Sequence, residues 1–323
     1  MTGDGADLHV YALPLRTRFR GVDVREGVLV RGTAGWGEFS PFREYDDAEA
    51  VTWWRAAREA ADTRWPPAVR ERVPVNATVP AVAPEAVAAV LARFPGCLTA
   101  KVKVAEPGQT PRDDEARLEA VRDALGAAGR IRIDANGAWD VSTASRLLPR
   151  YDRVAGGLEY AEQPCATVED LAAVRRRVDV PIAADESIRR ADDPLRVARL
   201  GAADVAVLKV QPLGGVLAGL RIAAEIGLPV VVSSALETSV GIAAGVALAA
   251  ALPELPYACG LATVGLFSRD VVAEPLVAAD GSLPVRRPEP DPALLAGASV
   301  DDGTAVWWRE RVARVSALAA EAR

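Results

Sequence analysis

Lys101, Lys103, Asp134, Asn136, Glu162, Asp185, Glu186 and Lys209 stand near the C-terminal ends of successive apolar runs in a chain of 323 residues. From Lys103 to Asp134, Glu162, Asp185 and Lys209 the successive gaps are 31, 28, 23 and 24 residues. An ionisable group inside an apolar run is costly unless it is paired or binds a metal, so this recurrence points to one shared site. Asp134, Glu162 and Asp185 make a hard oxygen donor set with no histidine or cysteine beside them. Such a set favours Mg2+, with Mn2+ as a substitute, and disfavours zinc. Lys103 precedes the set and Lys209 follows it, so the two can flank the metal and a substrate bound to it. A partly desolvated lysine near other cations has a lowered pKa and can act as a base. A metal holding a substrate carboxylate would stabilise the enediolate formed when the alpha proton leaves. Reprotonation, isomerisation or loss of a beta leaving group can follow.

Strand ends must converge for this chemistry to work. From Val73 the runs VPVNATV, CLTAKVKV, RIRIDANG, GLEYAEQP, VPIAADES, VAVLKVQP, LPVVVSSAL and YACGLAT read as eight strands. Helical stretches at 82–94, 112–128, 142–153, 167–178, 190–201, 215–226 and 239–252 separate them. Near-continuous apolar strands between helices describe a parallel sheet covered on its outside. Eight such units in about 190 residues fit a closed α/β barrel, (β/α)7β, a modified TIM barrel whose site lies at the C-terminal mouth. An open dinucleotide fold would carry a glycine-rich loop after its first strand, and NATVPAVAPEAV has none. Residues 73–266 are therefore assigned to the barrel. Residues 1–72 begin an α+β capping domain: a meander of LHVYALPL, VDVREGVLVRG and AGWGEFSPF, then a helix from Asp46 to Trp65 stopped by Pro66 and Pro67. Residues 267–323 complete it, with a terminal helix in WWRERVARVSALAAEA.

An isolated K-x-K on a strand ordinarily marks a solvated face. In KVKVAEP the matched carboxylates turn that face inward, and Lys101, nearer the barrel floor, can depress the pKa of Lys103 by like charge. Arg132 and Asn136 share parity with Asp134. Arg132 either balances the acids or makes a simple ion pair, and Asn136 is read as supporting the ligands or facing substrate. Glu186 directly follows Asp185 and should point elsewhere unless the strand has ended. Phosphate is the competing ligand class, with glycines after strands seven and eight to cradle it. The acid-rich mouth and the missing GxGK-type loop argue against it.

His9 is the single histidine, which removes histidine triads and histidine-rich zinc sites. The net charge of -6 and the lack of a basic stripe exclude nucleic acid as a partner. MTGDGADLHVYALPL has acidic residues where a signal peptide needs a basic segment, and the Ala-rich run at 242–252 is too short to span a bilayer. No membrane insertion is expected. Cys97, Cys165 and Cys259 suggest neither disulfides nor a metal site, consistent with a reducing cytoplasm. A small-molecule carboxylate is the expected partner, and a monomer is favoured.

KVKV at 101–104, RIDANGAW at 132–139, EQP at 162–164, AADES at 183–187 and VLKVQPLGG at 207–215, together with GWGEFSPF, resemble the muconate-cycloisomerase-like branch of the enolase superfamily. A lysine base with Mg2+ is an established pattern of that superfamily. The resemblance implies that Lys103 is the base with Lys101 as its companion, that Asp134, Glu162 and Asp185 are the metal ligands, and that Lys209 is the opposed lysine. Ser233, Ser234 and Gly260 fall where the last loops of the family meet substrate. The implied reaction is syn dehydration of 2-succinyl-6-hydroxy-2,4-cyclohexadiene-1-carboxylate to 2-succinylbenzoate, a step in menaquinone synthesis. Racemisation of N-succinylamino acids, dipeptide epimerisation and cycloisomerisation are the alternatives within the branch. Dipeptide epimerases of the family usually carry Asp-x-Asp after strand eight, where this chain reads YACGLAT. The segment LRTRFRGVDVREG offers Arg16, Arg18 and Arg20 either to a dianionic substrate or as a solvated basic turn.

Overall fold

The computed structural model describes residues 7–190 and 193–321. Part of the opening segment, two residues of the expected 190–201 helix and the last two residues of the tail lie outside these. Strands β1 (Leu8–Phe19), β2 (Val22–Arg31) and β3 (Trp36–Phe39) form the expected antiparallel meander. Arg20 and Gly21 turn β1 into β2 with φ of 52° and 76°, the left-handed pair that a two-residue hairpin needs. Alternation along β2 sends Val28 and Val30 into a cluster with Phe39, Trp53 and Trp308, whereas Leu29 packs on the barrel side. The helix Asp47–Asp62 starts where Asp46 accepts from the Glu49 amide at 2.7 Å. The tail returns to this unit as the helix Asp302–Glu321, whose buried Arg311 donates to the carbonyls of Phe42 and Tyr45.

After β4 (Arg72–Pro74) the barrel runs through β5 (Ala77–Val79), β6 (Thr99–Lys103), β7 (Arg130–Asp134), β8 (Leu158–Glu162), β9 (Ile182–Ala184), β10 (Val205–Lys209) and β11 (Val230–Ser233). Strands β5 to β11 form one parallel sheet in sequence order. The segment Cys259–Gly260 closes it: the Cys259 carbonyl accepts from Asn76 N at 3.0 Å, and Gly260 N donates to Val232 O at 2.8 Å. The first expected strand is divided, because β4 pairs antiparallel with β12 (Ser282–Pro284) and only β5 enters the barrel sheet.

Helices Pro111–Leu125, Val141–Ala155, Val168–Arg175, Val216–Glu225 and Ser239–Ala251 cover the sheet at the expected places. The first expected helix is shorter, Val87–Leu91 after a 3-10 turn at Pro84–Ala86. The expected helix at 190–201 is corrected: among the described residues there only Arg196–Arg199 is helical, with Pro194 before it, and a separate helical turn, Glu186–Arg189, precedes the segment. Proline lacks the amide and crowds the preceding turn, so one continuous helix is disfavoured. Ser239–Ala251 is apolar on all sides and almost wholly buried, as an interior helix must be. That is the place of the Ala-rich run, and no helix among the described residues is long and apolar enough to cross a membrane.

Gly37 lets β3 press against the helix Asp47–Asp62, for a Cβ there would lie 2.0 Å from the Ala57 carbonyl oxygen. Gly37→Ala is expected to destabilise the protein by about 1–3 kcal/mol through overpacking. A thermal melt checks this, and an unchanged midpoint would show that the contact is not tight.

Candidate active site

Strand register builds the site. Lys103 lies beside Asp134, and Asp134 beside Glu162, across β6, β7 and β8. Glu162 pairs with Ala183, and Asp185 follows just after β9 ends. On the other wall Lys209 lies beside Ser233, which bridges to Gly260. In a closed parallel barrel these ends converge at the C-terminal mouth. Lys101, Lys103, Asp134, Glu162, Asp185 and Lys209 are each at most 8% exposed, so each charge needs a partner.

The partners are mutual. Lys101 Nζ donates to both Glu162 oxygens at 3.0 Å and lies 3.5 Å from Asp134 Oδ2. Lys103 Nζ donates at 2.5 Å to Asp134 Oδ2 and to Asn136 Oδ1. Lys209 Nζ donates to Asp185 Oδ2 at 2.6 Å, and Arg189 Nε donates to Asp185 Oδ1 at 2.9 Å. Burial opposes the charge on Lys101, but Glu162 and Asp134 more than offset it and hold its pKa above the usual lysine range. Burial lowers the pKa of Lys103, with Lys101 adding to the effect and Asp134 opposing it. Asp134 and Asp185 are held below the usual carboxylate range despite burial, Asp134 by the lysines and Asp185 by Arg189 and Lys209. Glu162, between the two aspartates, is pushed up to about 7 by burial and by the charge of Asp134, against the pull of Lys101.

The supporting residues separate by depth. Asn136 has φ 46°, a left-handed turn that asparagine tolerates, and its amide donates to Glu186 Oε1 at 3.2 Å. Because β9 has ended at Ala184, Glu186 begins a helical turn, returns to the rim, and takes Arg189 Nη2 at 2.6 Å. Arg132 sits a layer deeper, beside Lys101 in register. It pairs with Glu159 and donates to Tyr160 Oη at 2.8 Å and to the Ala258 carbonyl at 2.8 Å. Between Ile131 and Ile133 the register with β8 slips by one residue, a bulge, and Glu159 and Tyr160 both reach this arginine.

The pocket above the charges takes walls from both parts of the chain: Phe19, Arg20 and Phe42 from the cap, Asn136, Lys103 and Lys209 from the barrel, and Ser233–Leu236, Gly260 and Thr263 from the last loops. Arg16 instead donates to the Phe267 carbonyl at 2.8 Å, and Arg18 pairs with Asp23 at 3.1 Å. Only Arg20 of the three lines the pocket, with its guanidinium 4.4 Å from the centre of the Phe42 ring. Thr78, Arg189, Phe19 and Phe42 were not singled out from the sequence. Thr78 carried a signal, a polar residue on an apolar strand, and it lies beside Lys101 in register. Thr78 lines the pocket, and its buried Oγ1 has no hydrogen-bond partner among the described residues. Arg189 depends on the helical turn after Asp185, and the two phenylalanines on how the cap folds over the mouth.

Three buried carboxylates without nitrogen or sulfur donors fit a hard divalent cation by donor chemistry. As the side chains stand, no three His, Cys, Asp or Glu groups among the described residues gather closely enough to cage one. The lysines hold the carboxylate oxygens instead.

Under the last pocket wall, buried Glu237 accepts from Ala235 N at 2.7 Å and faces Glu38 and Arg25. Burial first, then the charge of Glu38, pushes its pKa up to about 7. The folded state therefore keeps a proton that the unfolded chain releases at lower pH. This contribution is fully present below the usual glutamate range and is lost as pH rises to about 7. Urea unfolding from pH 4 to 8 should show wild type losing up to about 3 kcal/mol relative to Glu237→Gln across that window. Parallel pH profiles would refute the assignment.

Residues 82–292 match the enolase C-terminal domain-like family and residues 10–61 the enolase N-terminal domain-like family. The chain is 64% identical over 307 residues to an o-succinylbenzoate synthase of Thermobifida fusca, covering 95% of each chain. It is 59% identical over 311 residues to one of Mycolicibacterium smegmatis, covering 96% of this chain and 95% of the relative. Among solved structures, the N-succinyl Arg/Lys racemase of Bacillus cereus superposes with a TM-score of 0.75 at 20% identity, covering 91% of this chain and 97% of that one, a likeness of fold. With both enolase-like domain matches in chain order and this identity over nearly its whole length, the chain belongs to the o-succinylbenzoate synthase family.

Proposed function

We propose that the chain catalyses the syn dehydration of 2-succinyl-6-hydroxy-2,4-cyclohexadiene-1-carboxylate to 2-succinylbenzoate, a step toward menaquinone, in a reducing cytoplasm. The observation that carries the roles is a single pocket lined by the buried lysines Lys101, Lys103 and Lys209, with Lys103 and Lys209 on strands on either side of the three carboxylates. Identity to the synthases over nearly the full length supports the choice of reaction.

Lys103 Nζ takes the proton alpha to the ring carboxylate. The electron pair left behind forms the new ring double bond as the C–O bond to the beta hydroxyl breaks. Lys103 returns the proton to the departing hydroxyl on the same face, so water leaves and the ring becomes aromatic. Lys209 keeps its charge opposite, where the carboxylate gains electron density. Asn136 Oδ1 orients the Lys103 ammonium, as its 2.5 Å contact indicates. Thr78 lines the pocket beside Lys101. Arg20 supplies positive charge for the succinyl carboxylate from the cap side. Asp134, Glu162 and Asp185 would hold Mg2+, with Mn2+ as a substitute, and the bound cation would supply the positive charge that makes the alpha proton acidic.

Two opposed lysines are also what a two-base racemisation needs, which makes N-succinylamino acids the second substrate class to test. Metal-loaded protein should dehydrate the cyclohexadiene carboxylate. Racemisation without dehydration would sink the proposed reaction. Lys103→Ala should lower kcat by about 10²- to 10⁴-fold while leaving Mn2+ affinity, read by titration, largely unchanged. Retained turnover would remove Lys103 as the base. A chelator should abolish dehydration and added Mg2+ restore it, and activity that survives metal removal would exclude the metal role.

A further inference from the structure

The pocket wall Ser233–Leu236 is held from outside the barrel. Arg25, on β2 of the cap and 3% exposed, donates through Nε to the Leu236 carbonyl at 3.0 Å and through Nη2 to the Ala235 carbonyl at 3.3 Å. The same Nη2 reaches the Ser40 carbonyl, and the guanidinium lies 4.2 Å from the centre of the Phe42 ring, itself a pocket wall. Glu38, on β3 and 2% exposed, accepts from Thr238 N at 3.1 Å, Thr238 Oγ1 at 2.5 Å and Gly241 N at 3.1 Å. Tyr11 Oη and Ser40 Oγ each donate to its other oxygen at 2.8 Å. One carboxylate thus anchors the chain where β11 passes into the helix Ser239–Ala251. Between these anchors Leu236 stands at φ 67°, a conformation costly for a residue with a branched side chain and kept only when its surroundings impose it.

We propose that Arg25 and Glu38 are positioning residues for the reaction: they fix the carbonyls of 235 and 236 and the amide of 238, and so set where the 233–236 wall meets a bound ring substrate. The barrel carries the charges, and the cap sets the wall opposite them. Neither residue lines the pocket, so each acts through the backbone. Gln211, two residues after Lys209, extends the junction: its Oε1 accepts from Ser40 N and its Nε2 donates to Ser40 Oγ, both at 3.2 Å. The cap strand is thereby tied to the ends of two neighbouring barrel strands.

The inference rests on the dehydration reading, and its test separates the two. In Glu38→Gln an amide NH2 replaces an oxygen that accepts from backbone donors, and in Arg25→Lys one ammonium replaces a fork that spans four carbonyls. Each should raise KM for the cyclohexadiene carboxylate by about 10- to 100-fold while leaving Mn2+ affinity within about twofold. Hydrogen exchange should quicken in peptides covering 233–241 and stay unchanged in those covering 101–103. Tyr11→Phe removes a donor to Glu38 without touching the wall. It should lower the melting temperature and leave KM unchanged, separating lost stability from lost position. If both substituted proteins fold and keep wild-type KM and exchange, the positioning role is overturned. If one fails to fold, the other decides on the same readouts. If wild type does not dehydrate the substrate, the reaction assigned above falls, and unchanged exchange over 233–241 would then overturn the positioning role on its own.

Discussion

Three carboxylates buried at one end of a barrel cannot all carry charge without nearby compensation. Asp134, Glu162 and Asp185 are each at most 1% exposed, and Lys101, Lys103, Lys209 and Arg189 surround them. Each cation is shielded from water by the same walls, so its charge is as costly as the one it neutralises. The array is stable only as a whole. Placing positive charge close to acidic oxygen also serves acid-base chemistry, because a desolvated amine beside other cations gives up its proton more readily than one in water.

The array depends on register more than on any single contact. Parallel strands that pair Lys103 with Asp134 and Asp134 with Glu162 bring their side chains to one level without help from loops. Below that level a second polar layer joins Arg132, Glu159, Tyr160 and Asn76 across the barrel, and Arg132 also grips the carbonyl of Ala258 in the segment that closes it. This layer shares register with Lys101 and lies outside the pocket. Its work is to close and stiffen the barrel beneath the site.

The cap contributes what the strand ends lack, an apolar and cationic roof. Phe19, Arg20 and Phe42 come from β1, the turn that follows it and the segment after β3, all parts of the chain far in sequence from the charged ends of β6 to β10. Buried arginines carry much of the junction: Arg25 binds loop carbonyls after β11, and Arg311 of the terminal helix binds the Phe42 and Tyr45 carbonyls. A guanidinium with five donors can satisfy several carbonyls at once, which suits it to joining irregular segments. Chemistry and enclosure are thus assigned to different parts of one chain, and their mutual placement rests on a few buried polar contacts.

The barrel, the meander, the terminal helix and the charged positions at the strand ends were all legible in the sequence. They follow from local rules: strand alternation, repeat length, and the cost of putting charge in an apolar run. Donor chemistry pointed to a hard cation for the same reason, since residue type alone decides it. Other features needed the folded chain. The strand containing Asn76 and Thr78 divides because β12, some two hundred residues later, pairs with its first part. Arg132 turned to Glu159 because a one-residue slip in register brought Glu159 within reach. Of the described residues in 190–201 only Arg196–Arg199, after Pro194, is helical. Of three arginines within five residues, only Arg20 reached the pocket, because the hairpin turn set its direction. Sequence patterns state which residues share a face, whereas register slips, long-range pairing and the docking of one layer on another depend on contacts between residues that no local pattern relates.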